Sequence, residues 1–378
     1  MSVIDNMEAR RPQLLGTLEQ LVKLESPSLD KAAVDRLGNY IHSQLDELGA
    51  AVEVHQRDTV GDILVASWPG TDGAADGPLL VMTHIDTVWP LGTLDRLPFA
   101  IDGDIARGPG VYDMKASVAM MLAAMTEIQE RSLSHRPITW LITTDEEIGS
   151  NASRDLIEEL ASRGSYVLCL EPPVPPNGFL KTARKGVGGF QLTVNGVAAH
   201  AGADPEKGVS AIQEMALQIE YLHGLTDFSK GTTVNVGVIQ GGTRPNVIAA
   251  QAIAEIDLRV TTMAEAERVV DAIRSARPHL PGATVQVEGG MNRPPMERTE
   301  AIVAAFQRAR EIGAGLGLVL GEASTGGASD GNFTAAIGAT TIDGLGCLGD
   351  GAHADHEHIR ISGLVERAGL LTALLTEL

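Results

Sequence analysis

Three apolar runs, "LLVMTHID", "ITWLITTDEE" and "YVLCLEPP", each break off in residues able to bind metal or carry protons: His84 with Asp86, Glu146 with Glu147, and Glu171. Asp113 lies in a glycine-rich loop, "GPGVYDMK", that leads into a helical pattern, and His353 follows "ATTIDGLGCLGDGA". Ligands of open α/β sheets bind beyond the carboxyl ends of the strands. The shared position of these residues therefore marks a site more strongly than any one of them does. Two histidines and several carboxylates, with no cysteine among them, form a nitrogen and oxygen donor set suited to Zn²⁺ in a hydrolytic centre, and also to Mn²⁺ or Co²⁺. The carboxylates outnumber what one catalytic zinc requires. Two ions about 3.5–4 Å apart could share one of them and hold a water between them. At i and i+2 on a strand, His84 and Asp86 share a face, so the Asp86 carboxylate is expected to accept the second imidazole N–H and leave His84 to hold a metal. Successive residues of an extended chain point opposite ways, so one of Glu146 and Glu147 can bind metal while the other faces the water as a general base.

The elements that must position these residues alternate along the chain. Leu14, Leu18, Leu21 and Leu24 recur at helical spacing until Pro27 stops them, and a second amphipathic helix runs from about Lys31 to Leu48 and ends at Gly49. Strands and helices then alternate up to "YVLCLEPP", the pattern of a largely parallel sheet covered by helices. After about Ala183 the order becomes β-α-β-β-α-β: strand "FQLTVNGV", a helix, strands "TTVNVGVIQG" and "VIAAQAIAEIDLRV", a helix, and strand "ATVQVEGG". This is a ferredoxin-like split βαβ unit, closed by "NRPPMER". The expected fold is therefore α/β: a mainly parallel-sheet domain of residues 1–184 and 297–378, with a smaller ferredoxin-like (βαββαβ) domain of residues 185–296 inserted into it. In "AEIDLRV" the apolar Ile256, Leu258 and Val260 alternate with Glu255, Asp257 and Arg259, which places Arg259 on the polar face of a half-buried strand.

The 378 residues suit two domains, and a net charge of −20 repels nucleic acid and anionic membranes alike. No uncharged run approaches the roughly 20 residues of a membrane span. The only cysteines, Cys169 and Cys347, each sit in an apolar stretch and read as reduced core thiols. "MSVIDNMEARRPQ" has no apolar run of the secretory kind, so the expected compartment is the cytoplasm.

The motifs "HIDTVWP", "GPGVYDMK", "TTDEEIGS", "LEPP", "AAHAGADPEKGVSAI", "GGTRPNVIA" and "GAHADHEHI" resemble, in order and over almost the whole chain, the co-catalytic zinc metallopeptidase family. That family includes glutamate carboxypeptidase, acetylornithine deacetylase, succinyl-diaminopimelate desuccinylase and aminoacylase, and the glutamate carboxypeptidase branch is the most similar. The resemblance implies two Zn²⁺ per subunit, replaceable by Co²⁺ or Mn²⁺. It implies His84, Asp113, Glu147, Glu171 and His353 as metal ligands, with Asp113 bridging, and a cis peptide after Asp113. It also implies catalytic roles for Glu146 as general base, for Asp86 behind His84, and for His200 in "AAHAG", supplied to the scissile carbonyl by the partner of a homodimer formed through the inserted lid domain. Asn246, Arg259, Gly326 and Gly327 resemble substrate-binding residues, the arginine for a free carboxylate. "KTARKGVGG" departs from the polar residues of the glutamate carboxypeptidase pocket. Arg184 and Lys185 within it read equally as a binder of an acidic side chain or as a solvated pair. The implied activity is hydrolysis of the amide bond to a C-terminal amino acid in a small peptide or N-acyl amino acid. An N-acyl-amino-acid deacylase, or a non-catalytic relative that only binds in the cleft, are the alternatives.

Overall fold

The computed structural model describes residues 2–71 and 77–378. The chain forms two compact units, one of Met1–Ala183, Arg298–Thr325 and Ser329–Leu378, the other of Arg184–Glu297 with Gly326–Ala328. Gly326 and Gly327 of "TGGASDG" thus cluster with the second unit, although the strand before them and the helix after them belong to the first.

The first unit is built on an eight-stranded sheet, in the spatial order Ala51–His55, Ile63–Trp68, Ile138–Thr143, Leu79–His84, Tyr166–Cys169, Thr341–Asp343, Leu180–Arg184 and Glu322–Thr325. The sheet is mixed. Its centre is parallel: Leu79–His84 lies between Ile138–Thr143 and Tyr166–Cys169, and Thr341–Asp343 continues in the same sense. The strands Ala51–His55, Ile63–Trp68 and Leu180–Arg184 join it antiparallel. Leu79–His84 is buried at every position, as its unbroken apolar run requires of a strand covered on both faces. The helix Ala116–Glu130 is buried almost all round, its methionines included, and packs against Ile361–Glu377 and Arg11–Lys23. A small antiparallel sheet pairs Gly349–Asp350, His358–Arg360, Ile105–Arg107 and Ala100–Asp102. Strands this short leave no periodicity to read. A helix Val3–Ala9, capped reciprocally by Ser2 and Asp5, precedes the expected ones.

The second unit has the expected βαββαβ order. Its sheet runs Thr233–Gly241, Gln251–Val260, Gly186–Asn195, Thr284–Arg293, all antiparallel. The helices Ala211–His223 and Met263–Arg274 contribute Met215, Leu222, Val269 and Ile273 to the core with Phe190, Leu192 and Val194. Along Gln251–Val260 the even-numbered residues Ala252 to Val260 are buried and the intervening ones are not, the alternation that the sequence shows. Among the described residues no helix is long and apolar enough to cross a membrane, and both cysteines are buried and form no disulfide.

Met120, wholly buried in the helix that follows the Asp113 loop, tests this packing apart from any site. Met120→Ala should lower the unfolding free energy of the metal-free protein by about 2–5 kcal/mol, read from chemical denaturation.

Candidate metal centre

The parallel register brings the polar strand ends together. His84 pairs with Thr143, and Met82 with Cys169, so His84, the Glu146–Glu147 turn and Glu171 emerge along one edge of the sheet. Asp113 arrives from an irregular turn, Val111–Lys115, whose Asp113–Met114 peptide is cis as the resemblance implies. The turn begins at Gly110, where φ is +69° and a Cβ would come within 2.7 Å of the Thr87 side chain, so only glycine fits there. His353 sits in the loop between the paired strands Gly349–Asp350 and His358–Arg360. Its own φ is +63°, a left-handed conformation uncommon outside glycine.

Asp113 presents one oxygen to each histidine. Its Oδ1 lies 3.2 Å from His84 Nε2 and its Oδ2 lies 3.5 Å from His353 Nε2. Glu171 Oε1 is 3.6 Å from His84 Nε2, and Glu147 Oε2 is 3.2 Å from His353 Nε2. Donor atoms that share a tetrahedral ion at ordinary bond lengths stand about 3.3 Å apart. The spacings fit two ions, one among His84, Asp113 and Glu171, the other among His353, Asp113 and Glu147. Donor atoms of His84, Glu146 and Glu171 also lie within 4.8 Å of one another, as do those of His84, Asp113 and Glu147. Glu147 Oε1 is buried without a hydrogen-bond partner, the condition of an oxygen that a cation would satisfy. His356 and His358 do not join the group; His358 Nδ1 pairs with the His356 carbonyl.

The electrostatics show how crowded the carboxylates are. Hydrogen bonds to Asp113 and Glu147 raise the His353 imidazole to about 10. Burial opposes charge on His84, yet Asp113 and Asp86 outweigh it and hold that ring well above the ordinary histidine value. Burial also raises Glu147, while the two histidines overcome burial at Asp113 and hold it far below the usual carboxylate range.

Asp86 holds His84, but by a different group from the one expected. His84 Nδ1 is 3.0 Å from the main-chain carbonyl of Asp86 and 3.6 Å from its carboxylate. Nδ1–H therefore donates to the carbonyl and leaves Nε2 facing Asp113. The carboxylate, wholly buried, instead accepts from Ser28 Oγ at 2.7 Å and from the backbone N–H groups of Glu146 and Glu147 at 3.2 Å each. It fixes the turn that presents the glutamate pair.

Two contributors escaped sequence reasoning. Ser28 reaches Asp86 because Ser26–Ser28 runs alongside Ile85–Thr87, a pairing with no local signal. Glu357 is buried and accepts four N–H groups around the Asp113 loop. Its signal was a carboxylate four residues beyond His353 within "GAHADHEHI".

The remaining predicted residues belong to the second unit. His200 is exposed, and its Nδ1 accepts the N–H groups of Gly202 and Ala203 at 3.1 and 3.0 Å. A neutral ring so held carries its proton on Nε2. The Asn246 carbonyl accepts Ala201 N–H at 3.0 Å, which joins the two turns. Arg259 pairs through Nε with Asp257 at 3.0 Å, and its Nη1 approaches the Gly326 carbonyl at 3.4 Å. Arg184 is buried, not solvated, and its Nη1 donates to the Gly327 carbonyl at 3.3 Å.

Residues 80–377 match the family described as Peptidase family M20/M25/M40. Carboxypeptidase G2 of Pseudomonas sp. (strain RS-16) is 32% identical over 378 residues, covering 97% of this chain and 90% of that one. Acetylornithine deacetylase of Proteus mirabilis is 29% identical over 276 residues, covering 67% of this chain and 68% of that one. The fold is similar to that of the crystal structure of aminopeptidase PepT from Bacillus cereus, with a TM-score of 0.82 at 24% identity, covering 97% of this chain and 98% of that one.

The Asp86 network carries a prediction of its own. Asp86→Asn keeps the main-chain hold on His84 but turns an amide NH₂ toward N–H donors. Affinity for Zn²⁺ should fall about 10–100-fold in a competitive chelator titration, with the far-ultraviolet circular dichroism unchanged.

Proposed function

The chain belongs to peptidase family M20/M25/M40 and is a hydrolytic metallopeptidase; from that premise we propose that it is a di-zinc enzyme releasing a C-terminal amino acid from a small peptide or N-acyl group. The observation that carries the reading is the placement of the two Asp113 oxygens, one toward each histidine. His84, Asp113 and Glu171 would hold one ion and His353, Asp113 and Glu147 the other. When bound, the ions supply Lewis acidity to the scissile carbonyl and to the attacking water. Glu146, nearly buried beside His84 and Glu171, takes the proton from that water and delivers it to the leaving nitrogen. Water oxygen adds to the carbonyl carbon, the C–N bond breaks, and a carboxylate and an amine result.

Residues of the second unit bind and orient the substrate. His200, with Nδ1 occupied as an acceptor, is disposed to donate from Nε2 to the carbonyl oxygen as its negative charge grows. We assign that histidine to the partner copy of a homodimer formed through the second unit. Arg259 would exchange its Asp257 contact for the substrate's free carboxylate, held by two parallel hydrogen bonds. Asn246 and the backbone of Gly326 and Gly327 complete this part of the site. A Cβ at either glycine would meet nothing within 4 Å, so the surrounding protein does not demand glycine there, and close approach of a ligand would. Two buried cysteines that form no disulfide suit a reducing compartment such as the cytoplasm. Zn²⁺ fits the donor set best, with Co²⁺ or Mn²⁺ as substitutes.

Similarity to an acetylornithine deacetylase supports a second reading, N-acyl-amino-acid deacylation at the same centre. A panel of glutamate-terminated and other N-acyl amino acids separates the two.

Glu146→Gln should lower turnover about 10²–10⁴-fold with the metal content by elemental analysis unchanged, and chelation of the wild type should abolish activity until Zn²⁺ or Co²⁺ is restored. Loss of metal with activity per bound ion retained would move the base role away from Glu146. The carboxylate requirement is tested with the substrate's amide. Wild type should reject it at a cost of about 2–5 kcal/mol in kcat/KM, and Arg259→Lys should be nearly as poor as Arg259→Ala on the acid. Equal turnover of acid and amide would leave only a general amidase.

A further inference from the structure

We infer that Glu357 is the positioning residue that sets the second of the two ion sites, by tying the His353 loop to the Asp113 loop. The inference rests on the dinuclear reading above. Glu357 is almost wholly buried and belongs to the same loop as His353, between the paired strands Gly349–Asp350 and His358–Arg360. That loop is internally braced, with Glu357 N–H donating to the Ala354 carbonyl at 2.8 Å and Ala354 N–H to the Gly351 carbonyl at 2.9 Å. The Glu357 carboxylate then reaches across to the other loop. Its Oε1 accepts the backbone N–H groups of Tyr112 and Asp113 at 2.8 and 3.0 Å. Its Oε2 accepts Gly110 N–H at 2.9 Å and the Trp89 indole N–H at 2.8 Å.

Two donors on each oxygen use the full accepting capacity of a carboxylate. Three of the four come from the Gly110–Asp113 turn, and the fourth comes from the segment just after His84 and Asp86. An ionised acceptor strengthens each bond, and only a carboxylate accepts four N–H groups through one planar group. Glu357 is not placed as a ligand itself, because both its oxygens are taken by N–H donors. Its effect is on where Asp113 and His353 stand relative to each other.

The two ion sites depend on it unequally. In the site of His353, Asp113 and Glu147, two of the three ligands hang on loops that Glu357 joins. In the site of His84, Asp113 and Glu171, only Asp113 does, while His84 is held by the Asp86 carbonyl and by its strand. Disturbing Glu357 should therefore weaken one ion much more than the other. Substitution of partners behind the ligands commonly lowers metal affinity 10–100-fold.

The test is titration of the metal-free protein with Co²⁺, followed by visible absorption and by elemental analysis after gel filtration. Wild type should take up two ions. In Glu357→Gln one amide NH₂ must face N–H donors, so one ion should bind at least ten-fold more weakly relative to wild type than the other does. The absorption of the ion that still binds tightly should keep its wild-type band positions, which general loosening of the structure would not preserve. Trp89→Phe removes a single donor and keeps an aromatic side chain, so it should weaken the same ion several-fold; it provides the reading if Glu357→Gln does not fold. Two ions bound with wild-type affinities in both variants, or equal weakening of both ions, would overturn the inference while leaving the dinuclear reading intact. Fewer than two ions in wild type would overturn the dinuclear reading and this inference with it.

Discussion

Carboxylates crowded around two imidazoles are the constraint that organises the first unit. Asp86, Asp113, Glu146, Glu147 and Glu171 gather about His84 and His353, and like charges about 4 Å apart repel by roughly 4 kcal/mol where the effective dielectric constant is near 20. Two imidazolium charges cannot balance that set. In the metal-free chain the carboxylates draw protons onto the histidines, which is why His353 is raised to about 10. Divalent ions would do the same work with more charge and would return both rings to neutral ligands.

The fold separates the carboxylates into two kinds. Asp86 and Glu357 accept N–H and O–H donors of the supporting structure. Asp113, Glu147 and Glu171 face the imidazoles. The supporting carboxylates fix the backbone of the facing ones: Asp86 holds the Glu146–Glu147 turn, and Glu357 holds the turn of Asp113. The parallel register of Leu79–His84 with its two neighbours then sets His84, the Glu146–Glu147 turn and Glu171 at one end of the sheet. Side chains at the carboxyl ends of adjacent parallel strands converge in this way, which is the physical basis of ligand binding at that edge.

How much of this the sequence discloses depends on the range of the interaction. The buried strands announce themselves as unbroken apolar runs, and the polar residue that ends each one is conspicuous. The second unit's alternation from Ala252 to Val260 is equally local, and so is its βαββαβ order. His84 and Asp86 are legible as a pair, yet the group that serves the imidazole is the carbonyl, because the carboxylate is drawn to the glutamate turn and to Ser28, a contact no spacing rule contains. The role of Glu357, unlike its place beside His353, is illegible for the same reason: all four of its donors lie more than two hundred residues earlier in the chain. Arg184 has no local mark of burial, and its place is set by the Gly327 carbonyl. The strands of the small sheet are two or three residues long, too short for a period of two to show.

Sharing of Asp113 between two ions is what we propose. Anomalous diffraction at the zinc absorption edge, from crystals of the Zn²⁺-loaded protein, measures it directly. Two peaks are expected on either side of Asp113, about 3.5–4 Å apart, one against His84 and Glu171 and the other against His353 and Glu147. A single peak, or peaks that do not share Asp113, would contradict the account.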